Sequence, residues 1–208
     1  MSGPFKGVRV LELTSTVSGP FAGMMLADQG AEVIKIEPPG IGDLARFMGT
    51  IKDGMGAMFS TLNRNKKCIC LDFKNEEDLS VLMQLVSTAD VLIENYRPGI
   101  VKKLGIDYET LKKIKPDLIY CSISGYGQSG PYKEKKVYDP LIQGTVGIPH
   151  AQNSEFPELI RTIIYDKVTG LTSAQAISAA LYQKANGEGG QYLPVSMMES
   201  ALYYNWPD

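Results

Sequence analysis

Short apolar runs alternating with amphipathic stretches organise the first 125 residues. Val8-Arg9-Val10-Leu11-Glu12-Leu13 alternates with the period of two that a half-buried strand requires, and Ser18-Gly19-Pro20 opens a helical stretch from Phe21 to Gln29 that Gly30 ends. Val33-Ile34-Lys35-Ile36 follows as a second strand, so the opening segment reads as a β-α-β unit with a right-handed parallel crossover. The same grammar continues with a strand at Cys68-Ile69-Cys70-Leu71, a helix from Asn75 to Thr88, a strand at Val91-Leu92-Ile93-Glu94, a helix around Glu109 to Lys115 and a strand from Leu118 to Ile123. Alternation of this kind predicts an α/β fold: an open, mostly parallel sheet with helices on both faces.

Two stretches break the pattern. From Pro38 to Leu62 the chain is rich in glycine and methionine without clear periodicity, and from Gly125 to about Pro157 it is again irregular; both read as excursions over the surface. Val168 to Lys184 then reads as a long helix, Gly187-Glu188-Gly189-Gly190 as a turn, Gln191 to Ser196 as a strand, and Met197 to Tyr204 as the start of another helix. No internal repeat or low-complexity segment interrupts the 208 residues, which suit one large domain or a domain plus an appendage.

Charge and cysteine usage narrow the chemistry. Twenty-one basic against 23 acidic residues give a net charge of -2, which supplies no general field for nucleic acid or an anionic membrane, so any anion needs a local site. The first residues lack the apolar core and cleavage pattern of a secretory signal, and no run reaches membrane-spanning length, which predicts a cytoplasmic protein. Cys68, Cys70 and Cys121 have neither metal-ligand spacing nor the look of a disulfide framework, and are expected to be reduced, buried thiols. No metal site is predicted.

Several motifs sit at predicted strand ends. Gly125-Tyr126-Gly127-Gln128-Ser129-Gly130 fits GxGxxG, but no apolar-periodic helix follows and no acidic strand end lies about twenty residues on, so an active-site loop fits better than a dinucleotide fingerprint. Thr14 through Ser18 occupies the first β-α junction, where free N–H groups and the helix dipole favour an anion or a carbonyl oxygen; an ordinary capped helix start accounts for it equally well. Asn63-Arg64-Asn65-Lys66-Lys67 and Asn95-Tyr96-Arg97-Pro98-Gly99 place cations where phosphates could be held together, and a solvated surface explains each alone. Asp166 stands just before the long helix: by pattern alone it reads first as an N-cap, while the same position would let the helix dipole keep a nucleophilic carboxylate ionised.

Together these segments resemble the class III CoA-transferases, the family of formyl-CoA transferase and the carnitine and bile-acid CoA-transferases that also contains α-methylacyl-CoA racemase. The similarity rests on Gly7–Leu13, Ser18–Ala22, Gly30–Glu37, Asn63–Lys67, Asn95–Gly99, Gly125–Gly127, Tyr138-Asp139, Tyr165-Asp166, Leu181–Gln183 and Gly187–Val195, in family order across nearly the whole chain. The resemblance implies a Rossmann-like large domain spanning 1–208, incomplete because the family's small domain and C-terminal return segment are absent. It implies CoA and acyl-CoA as substrates rather than tightly bound cofactors, a carboxylic acid acceptor, and an interlocked homodimer or a complementing subunit. Asp166 falls on the catalytic aspartate, whose attack on a thioester would give an aspartyl mixed anhydride and then an aspartyl-CoA thioester. Ser15, Thr16, Val17 and Ser18 fall on the loop at the thioester, Asn95 and Tyr96 on pantetheine contacts, and Lys66, Arg97, Lys103 and Lys136 near the phosphates and adenosine. Gly125, Gly127 and Tyr138 complete the implied ligand contacts, with glycine-loop N–H groups as oxyanion donors. Two departures matter. Tyr138 stands where the racemase branch has a histidine, and a tyrosine with a pKa near 10 is a poor proton shuttle, which favours transferase over racemase; Val17 replaces a glutamine of formyl-CoA transferase-like members. A CoA-binding fragment without turnover is the remaining alternative.

Overall fold

The computed structural model describes residues 2–206. In chain order, β1 (Arg9–Leu13) leads through α1 (Ser18–Asp28) to β2 (Glu32–Glu37). The glycine- and methionine-rich excursion contains a 3₁₀ turn at Leu44–Phe47, a hairpin of β3 (Ile51–Lys52) and β4 (Met55–Gly56), and α2 (Ala57–Leu62). There follow β5 (Lys67–Cys70), α3 (Glu76–Ser87), β6 (Val91–Glu94), α4 (Ile100–Lys103), α5 (Tyr108–Leu111) and β7 (Ile119–Ser124). The final part is α6 (Asp139–Thr145), α7 (Ile148–Gln152), α8 (Ile164–Ala185), β8 (Tyr192–Ser196) and α9 (Met197–Asn205).

Six strands form one sheet in the order β5-β2-β1-β6-β7-β8, every pairing parallel. This is the doubly wound Rossmann-type order, and its direction of propagation reverses between β1 and β6. Central strands of such a sheet are covered on both faces, and accordingly every residue of β6 and β7 is buried. The pleat divides the core in two. Val10, Val33, Val91, Ile93 and Ile119 face α1 and α8, packing with Leu26 and Ile177, while Leu11, Ile34, Leu92, Leu118 and Tyr120 face Leu82 and Val86 of α3 and Leu111 of α5. Each fully buried aliphatic side chain contributes about 1.5–3 kcal/mol, so these two layers fix strand register firmly.

Four expectations are corrected. The irregular stretch after Gly125 contains α6 and α7, and the helix expected from Glu109 to Lys115 is the single turn α5. Helices of one or two turns carry too little 3.6-residue periodicity to be read from sequence, and tertiary packing stabilises them. Asp166 is not an N-cap, because α8 begins at Ile164 and Asp166 lies inside its first turn. Of the three thiols only Cys121 is buried; Cys68 and Cys70 lie exposed on the edge strand β5.

Candidate active site

Open parallel sheets bind ligands beyond the carboxyl ends of their strands, where the strand order reverses. Here the loops after β1 and β6, the two strands flanking that reversal, meet the loop after β7 around a cleft of about 350 Å³. Ser15, Thr16, Val17 and Ser18 line it from the first loop, Asn95, Tyr96, Arg97 and Pro98 from the second, and Gly125, Lys133, Lys135, Lys136 and Tyr138 from the third. Asp166 of α8, Met197 of α9, and Leu44 and Met48 of the excursion complete the wall.

Asp166 faces this cleft, partly exposed, in spite of its long separation in sequence from the loops around it. The approach of α8 to α1 permits this. A Cβ on Gly170 would stand 2.8 Å from the carbonyl oxygen of Ser18, so glycine lets the two helices close, and the Ser18 hydroxyl then donates to Asp166 Oδ1 at 2.5 Å. The start of α8 is held by a second aspartate: Asp139 Oδ2, fully buried, accepts from the backbone N–H of Tyr165 (2.5 Å) and of Asp166 (3.2 Å), and Gln143 Nε2 donates to its other oxygen. Asp139 therefore does the capping that the sequence assigns to Asp166, leaving the Asp166 carboxylate for other work.

Burial pushes the Asp166 carboxyl above the ordinary aspartate range, the nearby Asp139 charge adds to this, and the Ser18 hydroxyl and N–H oppose it. Ser18→Ala removes the main counterweight, a hydrogen bond to a charged acceptor worth about 1.5–3 kcal/mol. The acid limb of any rate profile that depends on ionised Asp166 should move to higher pH, so the variant loses most against the wild type on the acid side. Rates measured across pH check this, and an unmoved limb in the variant would refute the assigned role of Ser18.

Asn95 uses both ends of its amide on the first loop: Ser15 N–H donates to Asn95 Oδ1 at 3.0 Å, and Asn95 Nδ2 donates to Ser15 O at 2.9 Å. Its side chain joins two cleft loops. Gly125 permits a further close approach, since a Cβ there would lie 2.2 Å from Val137 Cγ1. Lys103, exposed on α4, and Gly127, whose N–H donates to Ser124 Oγ at 3.1 Å, lie outside the cleft lining.

Lys66 requires a correction. Its ammonium is fully buried, 2.7 Å from Glu12 Oε2, and donates to Pro20 O and Asn63 Oδ1. All three donors point inward, so it cannot meet a phosphate. Lys35, equally buried, pairs with Glu12 Oε1 at 3.0 Å and Asp43 Oδ2 at 2.9 Å and donates to Thr14 O at 2.8 Å. Two buried anions thus face two buried cations beneath the first cleft loop. Burial works against the Lys35 charge, but Glu12 and Asp43 outweigh it and hold its pKa up; for Lys66 burial wins and lowers it.

Glu94, at the end of β6, is a buried acid that sequence reasoning passed over. It accepts from the hydroxyl of Ser122, its neighbour on β7, and from Tyr96 N–H at 2.8 Å, so it anchors the start of the second cleft loop. Burial raises its pKa to about 7, with the two hydrogen bonds opposing. Below pH 4.5, the ordinary value, folded and unfolded chains both hold the proton; as pH rises towards 7 only the folded chain does. Stability is therefore lost through this window, by on the order of 3 kcal/mol. Glu94→Gln should flatten that slope in denaturation curves taken from pH 4.5 to 8, and wild-type and variant stabilities running parallel would contradict the assignment.

Among the described residues, no group of three or more His, Cys, Asp or Glu is arranged to hold a metal ion, and no helix is long and apolar enough to cross a membrane. Fold and cleft together define an α/β protein with a carboxylate-bearing cleft at the reversal point of a parallel sheet. Residues 5–206 match CoA-transferase family III, and the chain belongs to that family. It is 40% identical over 207 residues to acetyl-CoA:oxalate CoA-transferase of Acetobacter aceti, covering 97% of this chain and 53% of that protein. To succinyl-CoA:glutarate CoA-transferase of Homo sapiens it is 38% identical over 202 residues, covering 96% of this chain and 46% of that protein. A crystal structure of a CAIB/BAIF family protein from Brucella suis superposes with a TM-score of 0.91 at 40% identity, over 97% of this chain and 55% of that one. The chain thus spans about half the length of these relatives.

Proposed function

We propose that this chain carries the nucleophile of a CoA-transferase that moves CoA from an acyl-CoA donor to a carboxylic acid acceptor. The observation that carries the reading is the Asp166 carboxylate, hydrogen-bonded by Ser18 and facing a cleft that also holds Arg97, Lys133, Lys135 and Lys136. A long anionic thioester suits that combination: cations pair with its phosphates, while Val17, Ile123 and Met197 exclude water from the reacting carbonyl.

Asp166 adds to the thioester carbonyl, the C–S bond breaks, and CoA thiolate leaves, giving a mixed anhydride on Asp166. The retained thiolate then attacks the aspartyl carbonyl, releasing the donor acid and forming an aspartyl-CoA thioester. An acceptor carboxylate attacks this in turn, expelling thiolate again, and the thiolate finally takes the acceptor acyl group and frees Asp166. Exclusion of water matters because hydrolysis of either intermediate loses the activation. Backbone N–H groups of the loops that line the cleft would donate to the tetrahedral oxyanions.

Racemisation is the second reading, and the site lacks a visible partner for it. His150, the single histidine, lies exposed on α7 outside the cleft lining, and Tyr138 occupies the cleft position. Incubation with a panel of acyl-CoAs and free acids should form new acyl-CoAs; exchange of an α-proton with deuterated solvent in the absence of CoA transfer would overturn the proposal in favour of the racemase.

Association is part of the proposal, as a homodimer or with a complementing subunit. Leu202, Tyr203 and Tyr204 of α9 and Trp206 beside it are exposed, an apolar surface of the kind that partners cover. Light scattering should give a mass above that of one chain, and a strictly monomeric mass with full activity would count against it.

A further inference from the structure

Thr16 sits in the cleft with φ of 72°, in the left-handed region that a β-branched residue rarely adopts. Such a conformation is strained and persists only where surrounding structure imposes it. The imposing contacts are visible. Thr16 N–H donates to Asp43 Oδ1 at 2.9 Å, Thr14 O accepts from Lys35, and the N–H and carbonyl of Ser15 are both taken by Asn95. Four successive backbone polar groups of this loop are therefore held by side chains from three other segments, none of them by a strand ladder.

Asp43 is the hub on one side. Its Oδ1 accepts from Thr16 and Ala45, its Oδ2 pairs with Lys35, and its own N–H donates to Glu37 Oε2, itself fixed by a two-point contact with Arg46. The side chain is buried, and it belongs to the excursion after β2 rather than to any strand end. Directly after Thr16 come Val17 and Ser18, and Ser18 is the residue that grips Asp166.

We infer that Asp43 is a positioning residue that locks Thr16 in its left-handed conformation and so sets Ser18 against Asp166. The ion pair with Lys35 orients the Asp43 carboxylate, and the carboxylate in turn fixes the loop. Release of Thr16 would let its φ return to negative values, rotating the following peptides and withdrawing the Ser18 donors from Asp166. This inference rests on the functional reading above for its kinetic consequence, while the lock itself is independent of it.

The test is a double-substitution cycle of Asp43→Ala and Thr16→Gly. Glycine adopts positive φ without strain, so it does not need the lock. Asp43→Ala should lower kcat for CoA transfer tenfold or more in the threonine background, with the KM for acyl-CoA changed less than about threefold. In the Thr16→Gly background the same change should cost less than about threefold. Equal losses in both backgrounds would overturn the inference, since a general weakening of the fold takes no account of residue 16. Amide hydrogen exchange supplies the arm that survives a misfolded variant or an inactive protein. In the wild-type chain Thr16 N–H should exchange at least tenfold more slowly than freely exposed loop amides, and exchange at the free rate would sink the lock. Absence of CoA transfer by the wild type, with Thr16 protected, would overturn the functional reading and leave the lock standing.

Discussion

Asp166→Ala should abolish CoA transfer, lowering the rate by on the order of 10³-fold or more, because Asp166 is the only carboxylate among the residues lining the cleft. The expectation follows from geometry. Asp139 satisfies the first N–H groups of α8, so Asp166 is not needed to cap the helix, and its removal should leave the fold intact. Its oxygen is held instead by Ser18 from another helix, facing the cleft. Incubation with an acyl-CoA followed by hydroxylamine should leave a hydroxamate on Asp166 of the wild type and none on the variant. Asp166→Glu should also be severely impaired, since one added methylene moves the carboxylate off Ser18 in a gap that Gly170 closes tightly. A variant that folds, binds acyl-CoA and still transfers CoA at the wild-type rate would remove the covalent mechanism.

Lys66→Ala should produce the largest loss of stability, about 3–5 kcal/mol, and not the weakened phosphate binding that its sequence context suggests. Glu12 is fully buried with its two oxygens divided between Lys66 and Lys35, and burial already drives its pKa upwards while the two lysines bring it down. Deleting Lys66 leaves one oxygen of a buried anion without a counter-charge and frees Pro20 O and Asn63 Oδ1 as well. Chemical denaturation checks the prediction. A variant of undiminished stability whose KM for acyl-CoA rises sharply would restore the phosphate contact and displace the structural role.

The contrast between these two residues shows where a linear reading works. The long strands, α1, α3 and α8 were legible because their periodicity extends over several turns or alternations, and burial on the intended face reinforces it. Asp166 was legible as a helix-start acid, although its neighbour in space, Ser18, is 148 positions away and the cap of its helix, Asp139, is the first residue of α6. Lys66 was misleading because Asn63-Arg64-Asn65-Lys66-Lys67 looks the same whether its cations face water or a buried carboxylate. Nothing within five residues separates the cases: Arg64 and Lys67 do lie towards solvent, and Lys66 between them turns fully inward. Glu94 and Asp43 were passed over for a related reason, as isolated acids whose significance comes from what is packed around them.

Local order along the chain was therefore set by patterns of two and 3.6 residues, which depend only on near neighbours, and those patterns were sufficient for a parallel α/β sheet, its six strands and the longer helices between them. Which groups share the cleft depends on contacts across tens of residues: Asn95 on Ser15, Asp43 on Thr16, Ser18 on Asp166. Such contacts follow from strand order and helix packing, and a charged side chain acquires its role only when folding determines whether water or an opposite charge surrounds it.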